Sequence, residues 1–115
     1  MTTAKNSVRL IGNLGSNPEV RETGKSKLAK FSLATIESYK NDKGEWVTET
    51  QWHNIVAWGA QAERVAKYLK KGSEVLVEGK LTSRNYEDKD GVKRYFTEIQ
   101  LREVLPLDKK EELKN

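Results

Sequence analysis

Trp52 and Trp58 stand six residues apart in the segment Thr50-Gln51-Trp52-His53-Asn54-Ile55-Val56-Ala57-Trp58. Along an extended strand successive side chains point to opposite faces, so both indoles project to one side, roughly 20 Å apart at about 3.3 Å per residue. Two large π-faces at that separation suit a chain of nucleotides, because every base has a face to stack whatever its identity. The competing assignment puts both indoles in a core. The opposite face offers only Ile55 and Ala57 beside His53, so this strand by itself leaves the core side open. A second segment adds charge, since Lys80, Thr82, Arg84 and Tyr86 alternate with the apolar set Val75, Val77, Gly79 and Leu81. Cations neutralise phosphates and the terminal ring offers another stacking face, although a solvated outer face carries the same residue types. Further cations, Arg9, Arg21, Lys25, Lys27, Lys40, Lys43, Lys89, Lys93 and Arg94, fall near expected strand ends and turns. Asp42, Glu45, Glu87, Asp88 and Asp90 lie among them, so their placement decides more than the net charge of +4.

Other chemistries find little support. Zero cysteines exclude disulfides, thiolate nucleophiles and Cys-based zinc sites, and the single histidine cannot build a His-rich metal cage, so no metal or cofactor is expected. His53 lacks an oriented partner and a nucleophile in Gln51-Trp52-His53-Asn54, which favours a packed or interface histidine over a general base. Gly12, Gly15 and Gly24 do not form a phosphate-binding loop, because no G-x-x-x-x-G-K-[ST] opens a helix. No catalytic constellation emerges, and a non-enzymatic protein is expected. No apolar run reaches the 18 or so residues of a membrane span, and Met1-Thr2-Thr3-Ala4-Lys5 is not a secretory signal, so a soluble cytoplasmic protein is anticipated.

These side chains need strands to position them. A length of 115 residues with 36% hydrophobic and 33% charged residues predicts one domain on a lean core, spanning residues 1–107, with a short charged tail over 108–115. Val8, Leu10, Gly12 and Leu14 mark a first strand over Val8–Leu14 by their period of two. Turn formers fill Asn13 to Pro18, and alternation through Ala29, Phe31 and Leu33 predicts a second strand from about Leu28 to Tyr39. The polar run Lys40 to Trp46 reads as an exposed hairpin connection, in which a tryptophan is unexpected, and the third strand follows from Thr50 to Trp58. Ala62, Val65, Ala66 and Leu69 then recur at helical spacing before Gly72. A fourth strand alternates through Val75 to Tyr86, and Asp90-Gly91 turns into a fifth carrying Thr97, Ile99 and Leu101. The order β-β-β-α-β-β predicts an all-β, five-stranded OB-fold barrel with one short helix between strands three and four, an unclosed β-sandwich being the main rival.

At the level of motifs the sequence resembles the bacterial single-stranded DNA-binding proteins from Asn6 to Leu105. The resemblance is carried by Asn6-x-Val8-x-Leu10-Ile11-Gly12-Asn13-Leu14-Gly15 with Pro18-Glu19-Val20-Arg21, and by Leu33-Ala34-Thr35 with Glu37-Ser38. It continues through Thr50-Gln51-Trp52-His53, Trp58-Gly59, Ala62-Glu63, Tyr68-Leu69-Lys70-Lys71-Gly72 and Val77-Glu78-Gly79. Asp90-Gly91, Arg94-Tyr95 and Thr97-Glu98 close it.

The resemblance implies an OB-fold homotetramer that winds single-stranded DNA over its surface during replication, recombination and repair. It places base-stacking aromatics at Tyr39, Trp52, Trp58 and Tyr86, and a subunit-interface residue at His53. Lys80, Arg84, Arg21 and Lys71 are the expected phosphate contacts. Ala60 and Asn85 replace residues that are often basic in the family, so the phosphate path is expected to differ there. The acidic tail ending in Pro-Phe, by which members recruit replication and repair proteins, is absent after Glu111-Glu112-Leu113-Lys114-Asn115, and tail-docking partners are therefore not carried over. An OB-fold protein-interaction or primosome-type module and an RNA-directed role are the alternatives, separable by titration with dT and rU oligomers.

Overall fold

The computed structural model describes residues 4–24 and 26–107; Lys25 and the charged tail over 108–115 lie outside the described residues. A short 3₁₀ turn, Ala4–Asn6, precedes β1 (Val8–Leu14), β2 (Glu19–Thr23), β3 (Ser26–Lys40), β4 (Trp46–Trp58), α1 (Ala60–Tyr68), β5 (Glu74–Glu87) and β6 (Lys93–Pro106). The strands run in the order β1-β5-β6-β4-β3-β2, and a second pairing of β1 with β3 closes the sheet on itself. Five strands, β1, β3, β4, β5 and β6, therefore form the closed OB-fold barrel, and the helix follows the third of them. All ladders are antiparallel except β4 with β6, which pair in parallel at Ile55↔Ile99 and Val56↔Gln100.

Two features depart from the sequence-based expectation. The sequence reading assigns no element to Glu19–Thr23, because Glu-Val-Arg-Glu-Thr contains a single apolar residue and shows no extended alternation; it is a strand laid on β3, outside the barrel ring. β4 begins at Trp46 and not at Thr50, so Trp46 belongs to a strand and the connection shrinks to Asn41–Glu45. The residues added at its start are exposed on both faces, so burial imposes no period-two pattern on them.

Leu33, Ile55, Val65, Val75 and Val77 are the largest fully buried side chains, and they unite β3, β4, α1 and β5 in one core. The helix closes the end of the barrel: Ala62, Val65 and Leu69, at i, i+3 and i+7, join the core cluster. Gln61 fixes its orientation. The β5–β6 register slips between Glu78/Gly79, where Glu78 faces Glu103 but Gly79 faces Leu101, leaving Arg102 as the extra residue of a bulge. Gln61 Nε2 donates to the Arg102 carbonyl at 2.8 Å, satisfying an acceptor displaced from the ladder. Asn6 braces the opposite margin of β5, donating from Nδ2 to the Leu81 carbonyl at 3.1 Å and accepting from the Leu81 amide at 2.9 Å. No helix among the described residues is long and apolar enough to cross a membrane.

Closure demands two glycines. β1 pairs with β5 as far as Asn13 and with β3 from Asn13, so its backbone must cross very close to β3. A Cβ at Gly12 would lie 2.2 Å from the Ala34 carbonyl oxygen, and one at Gly79 would lie 2.2 Å from that of Gln100. Backbone cannot yield there as a flexible side chain could. Gly12→Ala is expected to cost at least about 1–3 kcal/mol and to lower Tm by on the order of 5–15 °C. A thermal melt of that variant checks this, and an unchanged Tm would show that the strands separate freely at the crossing.

Candidate nucleic-acid interface

Core packing decides which face of each strand reaches solvent. Ile55 and Ala57 of β4 are buried in the barrel, so the even-numbered face points outward, with Trp52 61% and Trp58 46% exposed. The two indoles are not core residues. Their exposure on a common face agrees with the spacing read from the sequence.

Residues directly opposite one another in a ladder share a face, and this carries the outer surface across the sheet. One row runs Glu19–Lys30–Val56–Gln100–Lys80 through β2, β3, β4, β6 and β5. A neighbouring row sets Arg21 beside Leu28 and Trp58. Toward the β5–β6 hairpin the same face continues through Thr82/Glu98, Arg84/Phe96 and Tyr86/Arg94. Trp52, Trp58, Lys80, Arg84, Tyr86 and Arg21 thus occupy one outer face, although the sequence scatters them over three strands.

Between the indoles lies a groove of about 260 Å³ lined by Asn17, Lys30, Ser32, Asn54, Phe96 and Glu98. Trp52 sits at its edge, held by Gly15: a Cβ there would lie 2.5 Å from the indole Cζ3 and 2.9 Å from Ser32 Oγ. The β1–β2 turn therefore leaves room for the ring while its own backbone is fixed by the Gly15 amide, which donates to the Ser32 carbonyl at 3.0 Å. Lys71 approaches the groove from the turn after α1, where its amide donates to Asn17 Oδ1 at 2.8 Å.

The cations differ in availability. Arg84 faces Glu98 at 3.8 Å and lies over the Phe96 ring at 5.3 Å. Arg21 pairs with Glu19 at 3.2 Å, Arg9 with Glu78 at 4.0 Å and Arg94 with Asp88 at 3.0 Å. These exposed pairs hold little energy in water and hold the guanidinium groups in place without neutralising the face permanently. Arg84 and Phe96, with Asn85 and Tyr86, also line a second concavity at the β5–β6 hairpin, where Tyr86 is 52% exposed.

Asp88 organises the tip of that hairpin. Its carboxylate accepts from the Asp90 and Val92 amides at 2.9 and 3.0 Å and from Arg94 Nε at 3.0 Å. The Val92 amide, then the Arg94 guanidinium, hold its pKa below the ordinary carboxylate value of 3.8.

Two sequence-identified residues lie elsewhere. Tyr39 pairs with Val47 in the β3–β4 ladder, on the face opposite Trp52 and Trp58, and is 45% exposed. His53 shares that opposite face, half-buried, and its Nε2 shares a hydrogen bond of 2.9 Å with Thr35 Oγ1. Lys30 and Phe96 line the groove but were not singled out in the sequence. Lys30 sits in an apolar alternating strand and Phe96 in a polar one, so neither stands out before the ladders align them.

A barrel of this order, with exposed indoles on its β4 face, can be set beside known proteins. The profile of the single-strand binding protein family matches residues 5–107. The chain belongs to that family. Two family members from bacteria are close in sequence. Single-stranded DNA-binding protein 1 of Chlorobaculum tepidum is 46% identical over 101 residues, which is 86% of this chain and 62% of that protein. Single-stranded DNA-binding protein 1 of Xylella fastidiosa is 44% identical over 110 residues, 93% of this chain and 80% of that one. Among family structures, the Plasmodium falciparum SSB complex with ssDNA superposes with a TM-score of 0.84 at 32% identity, covering 94% of this chain and 99% of that chain.

The Asp88 turn gives a pH test of this interface. A carboxylate with a lowered folded pKa contributes stability above its unfolded pKa and loses it as pH falls through the folded value. Hairpin resonances of Asp90 and Val92 should therefore move together on acidification, with a midpoint below the ordinary carboxylate value of 3.8. A midpoint above that value would show that the carboxylate is not held by these donors. Gly15→Val, at the other end of the face, should displace the Trp52 ring and shift tryptophan emission while leaving the far-UV spectrum of the barrel unchanged.

Proposed function

We propose that the chain binds single-stranded DNA without strong sequence preference and protects it during DNA replication, recombination and repair. The observation that carries this is the outer barrel face on which Trp52 and Trp58 stand exposed, with Arg21, Lys80 and Arg84 on the same face and a groove lined by Lys30 and Phe96 that is tied through Asn17 to the turn of Lys71. Exposed indoles on a rigid sheet lose little conformational entropy when a base stacks on them, and stacking tolerates any base. The cations track phosphates. Arg84 and Arg21 exchange their carboxylate partners for phosphate oxygens, and the Phe96 ring keeps the Arg84 guanidinium oriented as it does so. Tyr86 extends the path onto the β5–β6 hairpin, and Tyr39 serves a strand that has crossed to the other side of the β3–β4 ladder. The two bacterial relatives and the Plasmodium complex, each named for single-stranded DNA, support the same substrate.

The working unit we propose is a homotetramer. Only Asn13 and Leu14 of β1 pair with β3, so its earlier residues present a free strand edge beside exposed Ile11, the kind of edge that soluble proteins cover by self-association. His53, on the ladder face away from the groove, is the interface residue in this reading. A cytoplasmic, nucleoid-associated location and a non-enzymatic role follow from the substrate.

Two measurements test the proposal. Affinity for dT oligomers should fall with salt at a log–log slope of roughly −0.7 per neutralised phosphate, and a flat response between low and moderate salt would remove the phosphate path. Trp52→Ala and Trp58→Ala should each weaken dT binding by roughly 5- to 150-fold, in keeping with about 1–3 kcal/mol per stacked base. Their melting temperatures should change little, since a core tryptophan would instead cost about 3–5 kcal/mol of stability. Large destabilisation with unchanged affinity per folded molecule would refute stacking.

A further inference from the structure

The β3–β4 hairpin outruns the barrel. From Ile36/Thr50 to Lys40/Trp46 the paired residues are exposed or nearly so on both faces, forming a two-stranded ribbon without a third strand. Such ribbons are marginal alone, yet this one is braced at its tip. Asn41 Oδ1 accepts from the Lys43 and Glu45 amides at 2.9 and 3.0 Å, and the Asn41 amide donates to the Glu45 carbonyl at 2.9 Å. Gly44, at φ 79, supplies the left-handed residue that the turn requires.

The two faces of the ribbon differ in chemistry. One carries Tyr39/Val47 and the directly opposed pair Glu37/Glu49, so two carboxylates stand across from each other. The other carries Ile36/Thr50, Ser38/Thr48 and Lys40/Trp46, and continues without a break into Ala34/Trp52 and Leu28/Trp58. Trp46, Trp52 and Trp58 therefore recur every six residues on one face, and each interval spans roughly 20 Å. Trp46 is 69% exposed, and the Lys40 ammonium lies 5.6 Å from its ring centroid.

We infer that Trp46 and Lys40 form a further single-strand stacking platform, extending the proposed nucleic-acid path from Trp52 to the tip of the β3–β4 hairpin. This deepens the proposed DNA-binding reading and rests on it. Charge complementarity favours the same face as the alignment of the rings does. A polyanion is repelled by the Glu37/Glu49 face and meets a carboxylate-free pair, Lys40/Trp46, on the other. Lys40 contacts one side of the indole through a cation–π interaction, leaving the other side for a base and placing an ammonium where the adjoining phosphate passes. The hydrogen-bonded turn fixes the backbone that carries both side chains before any ligand arrives, which lowers the ordering cost at binding.

The test uses the full chain. In Trp52→Phe/Trp58→Phe, Trp46 is the sole indole, and its fluorescence should be quenched as a long dT oligomer binds, binding being followed separately by anisotropy of labelled dT. Trp46→Ala should weaken a dT oligomer of about 16 nucleotides by roughly 5- to 100-fold, and one of about 4 nucleotides far less, because the short strand fits between the remaining platforms. Lys40→Gln should lower the salt slope for the long oligomer. Binding without quenching of Trp46, or Trp46→Ala affinity equal to wild type for both lengths while Trp52→Ala is impaired, overturns this inference and leaves the proposed function standing. A changed solution mass for Trp46→Ala with unchanged dT affinity overturns it too, since the ring would then cover a second copy of the chain. Failure of the wild-type chain to bind dT at all would overturn both.

Discussion

Every exposed side chain of functional interest owes its direction to the closure of the barrel. β1 can reach both β5 and β3 only because Gly12 lets its backbone press against the Ala34 carbonyl, and β5 can follow β6 around its bulge only because Gly79 does the same against Gln100. Once the ring is closed it has a single inside. That inside is filled by Leu33, Ile55, Val75 and Val77 and stoppered by Val65 of the helix. Side chains alternate along a strand, so burying Ile55 and Ala57 forces Trp52 and Trp58 into water. The exposure of two indoles, unfavourable in itself, is fixed by the larger apolar surface that the opposite face removes from water.

The electrostatics of the face follow the same economy. Net charge is modest, and most of the guanidinium groups discussed above sit within 4.0 Å of a carboxylate. A surface of weakly paired cations stays soluble and self-compatible, yet yields to a denser line of negative charge. DNA supplies such a line, because a phosphate chain holds its charges at fixed short spacing and releases counterions when they are neutralised. On the barrel the groove near the indoles is lined from several strands by polar and apolar side chains together. On the hairpins, single buried-core constraints no longer act, and side-chain hydrogen bonds at Asn41 and Asp88 take over the task of holding shape.

Those two turns are alike in principle. In each, an Asn or Asp side chain accepts from the amides two and four residues later, closing a compact tip with a positive-φ glycine within it. Each tip presents a cation–aromatic pair near its base, Lys40 with Trp46 and Arg84 with Phe96. The barrel thus carries two braced arms, one with its cation–ring pair on the rung next to the tip and the other with the pair further back along the ladder.

The sequence by itself determined the strand order, the place of the helix and the shared face of Trp52 and Trp58, because period two and period 3.6 are local consequences of burial on one side. It also determined the absence of thiol chemistry and of histidine metal cages, because those need residues the chain lacks. It did not determine which side of β4 was core, since Ile55 and Ala57 on one face and two tryptophans on the other are both plausible interiors until the remaining strands are assembled. It concealed β2, whose Glu19–Thr23 segment shows no pattern because its pairing is made by backbone alone, and it left Trp46 in a loop, since a ribbon exposed on both faces has no burial to imprint a period. Only the tertiary structure decided that Arg21, Lys30, Trp58, Lys80 and Phe96 share one surface while Tyr39 and His53 turn away from it. That arrangement is a matter of register between strands distant in sequence, and register is set by the whole closed ring.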